Sequence, residues 1–232
     1  MNRMRQLQAY AGWMLVLPGV IRNCGWFGRV EKSFLTQKRE LLLTIDDGPD
    51  PRQTPQILDA LAQAKVRAVF FVIGKNVKAY PALCRRMTEE GHSVQNHTFS
   101  HNSATFWSVG PRRAKEEIER CSLAIQNATG RLPLQFRPPV GMANPFVHLV
   151  AESCGLKMMG WSATGHDGIA HNPSRVVQRI RRSATPGGIV LLHDSHLRGM
   201  RPGERACTLS ALLNTLKGDG YLFTDRLDAG SA

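Results

Sequence analysis

Leu41-Leu42-Leu43-Thr44-Ile45-Asp46-Asp47-Gly48-Pro49 is an apolar run that breaks into two adjacent acids and a Gly-Pro turn. A short apolar run bounded this abruptly reads as a buried strand that ends in a tight turn. Both acids therefore stand where a strand ends. Successive strand side chains point to opposite faces, but a turning chain end can bring two carboxylates to one mouth, where one holds a cation and the other handles protons. Asp and Gly are also ordinary turn residues, so the stretch gains chemical meaning only from the rest of the chain.

Downstream, strand and helix patterns alternate. The spacing predicts a helix over 54–64, with Ile57, Leu58 and Leu61 on one face, and an apolar strand over 68–73. Further helices are predicted at 81–90, 112–128, 145–154, 174–182 and 208–216. Strands are predicted at 93–95, 134–136, 156–161, 189–192 and 221–223. There is no internal repeat or linker. Right-handed crossovers would wind such a βα array into a parallel barrel or an open sheet.

The chain of 232 residues is 42% hydrophobic, enough for one sizeable core. Its formal net charge of +12 suits an acidic partner such as nucleic acid, an anionic lipid surface or a phosphorylated substrate. Arginine clusters at 179–182 and 198–205 read as solvated helical surface, and no nucleic-acid-binding motif accompanies them, so nucleic acid is disfavoured. The five cysteines are odd in number and lack a Cys-x-x-Cys pair, which argues against a disulfide framework and for a reducing compartment. Residues 1–40 form a basic and apolar leading segment, and 41–228 a single domain. The run Ala9 to Ile21 contains Pro18 and falls short of the ~20 residues that span a bilayer. Trp13 within it and Trp26 and Phe27 beyond it, beside arginines, suit a segment lying in a membrane interface.

Polar groups gather after the apolar strands. His97 and His101 follow the 93–95 strand, and their i, i+4 spacing puts both imidazoles on one face of a helical turn. Two imidazoles with one carboxylate make a site for a borderline metal that keeps positions open for water. Arg137-Pro138-Pro139-Val140-Gly141 offers an arginine and a rigid backbone that can present an N–H to a reacting oxygen. Asp167 follows the 156–161 strand, and His193-Asp194 follows 189–192. In a barrel all of these meet at the carboxyl-terminal face.

Together these residues resemble the polysaccharide deacetylase family, carbohydrate esterase family 4, whose unit is the NodB homology domain. The resemblance spans roughly 41–227 with the motifs in the family's order. Thr-Ile-Asp46-Asp47-Gly-Pro is similar to the first, His97-Thr-Phe-Ser-His101 to the second and Phe-Arg137-Pro-Pro-Val140-Gly to the third. The 161–167 stretch resembles the fourth and Leu191-Leu-His193 the fifth.

The resemblance implies an α/β fold, an irregular (β/α) barrel of about seven parallel strands. It implies a metal-dependent hydrolase that removes N-acetyl or similar acyl groups from an amino sugar in a polysaccharide or lipid-linked glycan. The alternatives are an O-deacetylase, a deformylase of a lipid-linked sugar, or a non-catalytic glycan-binding barrel. Asp47, His97 and His101 would hold one divalent metal ion, zinc first, with cobalt or nickel also suited. Asp46 would be the general base and His193 the general acid. Arg137 would orient Asp46, Asp167 would pair with His193, and the Val140 N–H would share the oxyanion. Pro139, Trp161 and Leu191 would contact substrate.

The fourth motif departs from the family's Asp-x-x-Asp-Trp, since its places hold Thr164, Asp167 and Gly168, and Val140 stands where an aromatic is common. A wider cleft for a shorter or lipid-linked amino sugar is expected. So is a place at the inner face of a bacterial membrane or in the cytoplasm, with export on an uncleaved anchor as the competing picture.

Overall fold

A computed structural model of the protein describes residues 21–169, 172–195 and 203–225. The interfacial segment expected over 9–21 lies outside them except for Ile21. Among the described residues, no helix is long and apolar enough to cross a membrane.

The leading strand β1 spans Glu40–Asp46 and is buried from Leu41 onward. It is followed by α1 (Thr54–Ala64), β2 (Val69–Val72), α2 (Gly74–Ala79), α3 (Pro81–Glu89) and β3 (Ser93–Asn96). Then come α4 (Pro111–Thr129), β4 (Gln135–Phe136), α5 (Pro145–Ser153), β5 (Lys157–Met158) and β6 (Ala163–Thr164). α6 (Pro173–Ser183), β7 (Gly188–His193), α7 (Glu204–Gly218) and β8 (Leu222–Thr224) complete the order. Most boundaries follow local chemistry. Prolines open α1, α3, α4, α5 and α6, where the missing N–H costs no hydrogen bond. Asn144 and Asn172 cap α5 and α6 by accepting from the Val147 and Arg175 N–H groups.

The sheet has eight strands in the order β5-β4-β3-β2-β1-β7-β6, with β8 pairing the start of β1, and every pairing is parallel. Its edges, β5 and β6, are consecutive in the chain, so residues 159–162 alone carry the chain from one edge to the other and the sheet curls into a barrel. The single strand expected over 156–161 is accordingly two short strands on opposite edges. Residues 30–34 close the seam. Glu31 exchanges backbone bonds with Met158 and Gly160 at 2.9 and 2.7 Å, and the Phe34 N–H donates to the Gly187 carbonyl at 2.8 Å.

Alternation along β1 divides the interior. Leu41, Leu43 and Ile45 pack with Phe70, Val190 and the helices, whereas Leu42 joins Val69, Phe71, Met159 and Ile189 inside the barrel. Thr44 and Asp46 share the parity of Leu42, which lifts a polar ladder from the barrel interior to its mouth.

Candidate active site

Asp46 is the last residue of β1, and Asp47 leaves the strand with a positive φ of 77°. That turn delivers the second carboxylate to the same mouth as the first. Its corner admits only glycine next, because a Cβ on Gly48 would collide with the carboxylate of Asp194.

His97 and His101 do meet, but not on a helical turn. Residues 97–101 form a loop in which Thr98 and His101 have φ of 66° and 52°. The buried Glu117 of α4 organises it, accepting from the Phe99 and Ser100 N–H groups at 3.1 and 2.7 Å and from the Ser100 hydroxyl at 2.9 Å. These local bonds outcompete a helical ladder. The two imidazole centroids lie 4.7 Å apart.

His97 Nε2 and His101 Nε2 approach Asp47 Oδ1 at 3.4 and 3.2 Å, and one donor atom from each residue falls within 4.8 Å of the others. His97 Nδ1 lies 2.7 Å from the Arg137 carbonyl. A carbonyl only accepts, so Nδ1 carries a proton and Nε2 is the ring atom turned to the cluster. The Ser195 hydroxyl donates to Asp47 Oδ2 at 3.0 Å. Burial opposes ionisation of Asp47, but the His97 hydrogen bond and the nearby histidines hold its carboxyl well below the ordinary range. Burial and the neighbouring His97 lower His101 to about 4. Two imidazoles converging on one carboxylate are the donor set that a divalent cation takes, so the residues fit a metal.

Asp46 and Asp167 are each held by a cationic side chain. Arg137, wholly buried, donates from Nη1 to Asp46 Oδ1 at 2.7 Å and to Thr44 Oγ1 at 2.8 Å, and from Nη2 to the Gly160 carbonyl at 2.7 Å. Its guanidinium stacks 4.2 Å from the Phe71 ring centroid. Across the mouth, His193 Nδ1 donates to Asp167 Oδ1 at 2.9 Å, and the His193 N–H donates to Oδ2 at 2.8 Å. Burial pulls the His193 ring down, but the Asp167 charge and hydrogen bond outweigh it and raise the imidazole to about 9.

A cleft of about 330 Å³ joins these groups. Asp46, Asp47, His97, His101 and His193 line it, with Val140, Trp161, Leu191 and His166 on its walls. Val140 has a φ of 51° in the 3-10 turn Pro139–Gly141, whereas Pro139 is buried and is not a wall residue. Gly168 lies against the His193 ring, where a Cβ would sit 3.3 Å from Cε1. Sequence reasoning missed Thr44, Glu117, Ser195 and Arg205, as well as Arg22 and Asn23, which reach the cleft from the leading segment. Only Thr44 carried a signal, being two residues before Asp46 on an alternating strand.

A parallel barrel with a His-His-Asp nest and two arginine- or histidine-held carboxylates at its strand ends is the arrangement of a hydrolase that would work with a bound cation. The polysaccharide deacetylase family model matches residues 35–159. The chain is 40% identical over 172 residues to a chitooligosaccharide deacetylase of Bradyrhizobium sp. (strain ANU 289), covering 73% of this chain and 76% of that protein. It is 37% identical over 188 residues to a peptidoglycan-N-acetylglucosamine deacetylase of Listeria monocytogenes, covering 81% of this chain and 38% of that one. Among solved structures, the Bc1960 peptidoglycan N-acetylglucosamine deacetylase superposes with a TM-score of 0.78 at 27% identity, covering 86% of this chain and 92% of that one. The chain belongs to the polysaccharide deacetylase family and is a carbohydrate deacetylase.

Proposed function

We propose that the protein removes the acetyl group from N-acetylglucosamine-type residues of a short or lipid-linked glycan. Asp46 is the base, His193 the acid, and Asp47, His97 and His101 hold one zinc ion. The observation that carries this reading is the pairing of Asp46 with a guanidinium and of His193 with a carboxylate at one cleft. The first engages Asp46 Oδ1 and turns Oδ2 to the cleft to take a proton; the second engages His193 Nδ1 and turns Nε2 to the cleft to give one.

A bound divalent cation would lower the pKa of water and polarise the amide carbonyl. The protein's own groups supply the rest. Arg137 occupies Asp46 Oδ1, which leaves Oδ2, 3.8 Å from His97 Nε2, facing the cluster as the proton acceptor. Asp167 occupies His193 Nδ1, so the Nε2 proton is the one available to the departing amine. The Val140 N–H supports negative charge on the carbonyl oxygen. Trp161 and Leu191 wall the sugar, and the side-chain-free Gly168 leaves the imidazole open on one face.

The preference for a shorter or lipid-linked substrate draws support from Ile169, which lines the cleft yet is 80% exposed, and from the cationic Arg22, which lines the same cleft. An apolar and basic lip suits an anionic bilayer, and we place the enzyme on the inner face of a bacterial membrane. The test is acetate release from an N-acetylglucosamine oligomer and from a glycolipid extract, using protein stripped with chelator and then restored with zinc, cobalt or nickel. Zinc-restored release of acetate supports the reading. Unaltered oligomer and lipid under every metal would overturn it.

A further inference from the structure

Asp167 is gripped by two cations, His193 and a second one. The second is Arg205, on the first turn of α7 and 6% exposed. Its Nη1 donates to Asp167 Oδ2 at 2.8 Å and to the Asp167 carbonyl at 2.9 Å. Its Nε and Nη2 donate to the Ser195 carbonyl at 3.2 and 3.0 Å. One planar fork thus joins the loop that carries Asp167 to the chain just beyond β7, where His193 stands. The void behind it, about 20 Å³ and walled largely by Ile45, Ile57, Val176, Leu192 and Leu209, holds no more than about one water.

We propose that Arg205 is a positioning residue for the acid step, fixing Asp167 and through it the tilt of the His193 ring. Asp167 Oδ2 is engaged by Arg205 and by the His193 N–H, so the carboxylate cannot rotate, and Oδ1 stays presented to the imidazole. An ammonium in the same place would be a point charge. It could not reach a carboxylate and two carbonyls in one plane. The proposal rests on His193 being the acid, and its test is arranged so that the two can fail separately.

The experiment is a kinetic cycle of Arg205→Lys, Asp167→Asn and the double variant in the full chain. The substrates are an N-acetylglucosamine oligomer, whose amine needs a proton to leave, and 4-nitrophenyl acetate, whose phenolate does not. Arg205→Lys should lower kcat on the oligomer about a hundredfold, the scale of an ångström-sized misplacement, with KM within about twofold. Hydrolysis of the nitrophenyl ester should change by less than about threefold, because a good leaving group bypasses the acid. In the Asp167→Asn background the same replacement should cost less than about threefold more on the oligomer, because residues acting as a unit are not additive. Multiplicative losses in the double variant, or equal losses on both substrates, would overturn the proposal. Arg205→Gln enters the cycle should Arg205→Lys not fold. His193→Ala, run alongside, should cost the oligomer far more than the ester; equal losses there would remove the acid assignment itself.

Discussion

Arg137 Nη1 meets Asp46 Oδ1 at 2.7 Å with 0% and 4% of the two side chains exposed. A pair sealed this way is a constraint on geometry more than a source of stability, because desolvation offsets much of its attraction. Removing one member is different. Arg137→Met should cost about 3–5 kcal/mol by stranding a buried carboxylate. Asp46→Asn added to it should recover a large part of that loss. Urea unfolding of the single and double variants checks this, and a double variant no more stable than Arg137→Met would refute it.

The acid pair sets a pH dependence whose sign is fixed. In the metal-free protein His193 keeps its proton to about pH 9, raised by Asp167 against the opposing effect of burial. A folded-state value above the ordinary ~6.5 means that the charged ring contributes stability in full below that pH. The contribution is lost as pH rises through about 9. Asp167→Asn should move the His193 titration downwards and flatten the loss of stability across this window. Proton NMR of the ring and thermal melts between neutral and alkaline pH measure the two effects.

Glu117 governs the metal nest without belonging to it. Its carboxylate takes the Phe99 N–H, the Ser100 N–H and the Ser100 hydroxyl, and also pairs with Arg113 at 2.7 Å. Glu117→Gln should weaken zinc binding about 10–100-fold by loosening the loop that presents His101. His101→Ala should abolish stoichiometric binding. Calorimetry with zinc on chelator-stripped protein distinguishes them, and full occupancy in His101→Ala would sink the ligand assignment.

The proposed membrane association is assigned to the segment before Ile21. A truncation must start no later than that residue, because Arg22 and Asn23 line the cleft and Glu31 and Phe34 close the seam. Protein lacking residues 1–20 should release from anionic vesicles and still hydrolyse a soluble acetyl ester. Salt should weaken binding of the full chain only in part, since the apolar contribution is unscreened. Undiminished vesicle binding by the truncated protein would count against the segment.

What could be read from the chain alone was whatever repeats locally. The alternation of strands and helices, the break at Asp46-Asp47 and the polar groups after each apolar run gave the barrel and drew the mouth residues together. The loop at 97–101 was misread as helical because its conformation is set by Glu117, a residue distant in sequence. Arg205 was read as part of a solvated cluster. A run of arginines looks the same in one dimension whether its members face water or, as here, one of them reaches two carbonyls in the interior. The same holds for the 156–161 strand, whose division depends on where the sheet turns back on itself and not on its own residues.

The seam between β5 and β6 gives the molecule a direction in which it is weak. Residues 30–34 are held across it by a few backbone bonds to 158, 160 and 187, and the same leading segment supplies Arg22 and Asn23 to the cleft. The interior strands, by contrast, are locked on both flanks by continuous parallel ladders. Tension applied through the amino terminus is therefore felt at the cleft wall before it reaches the core.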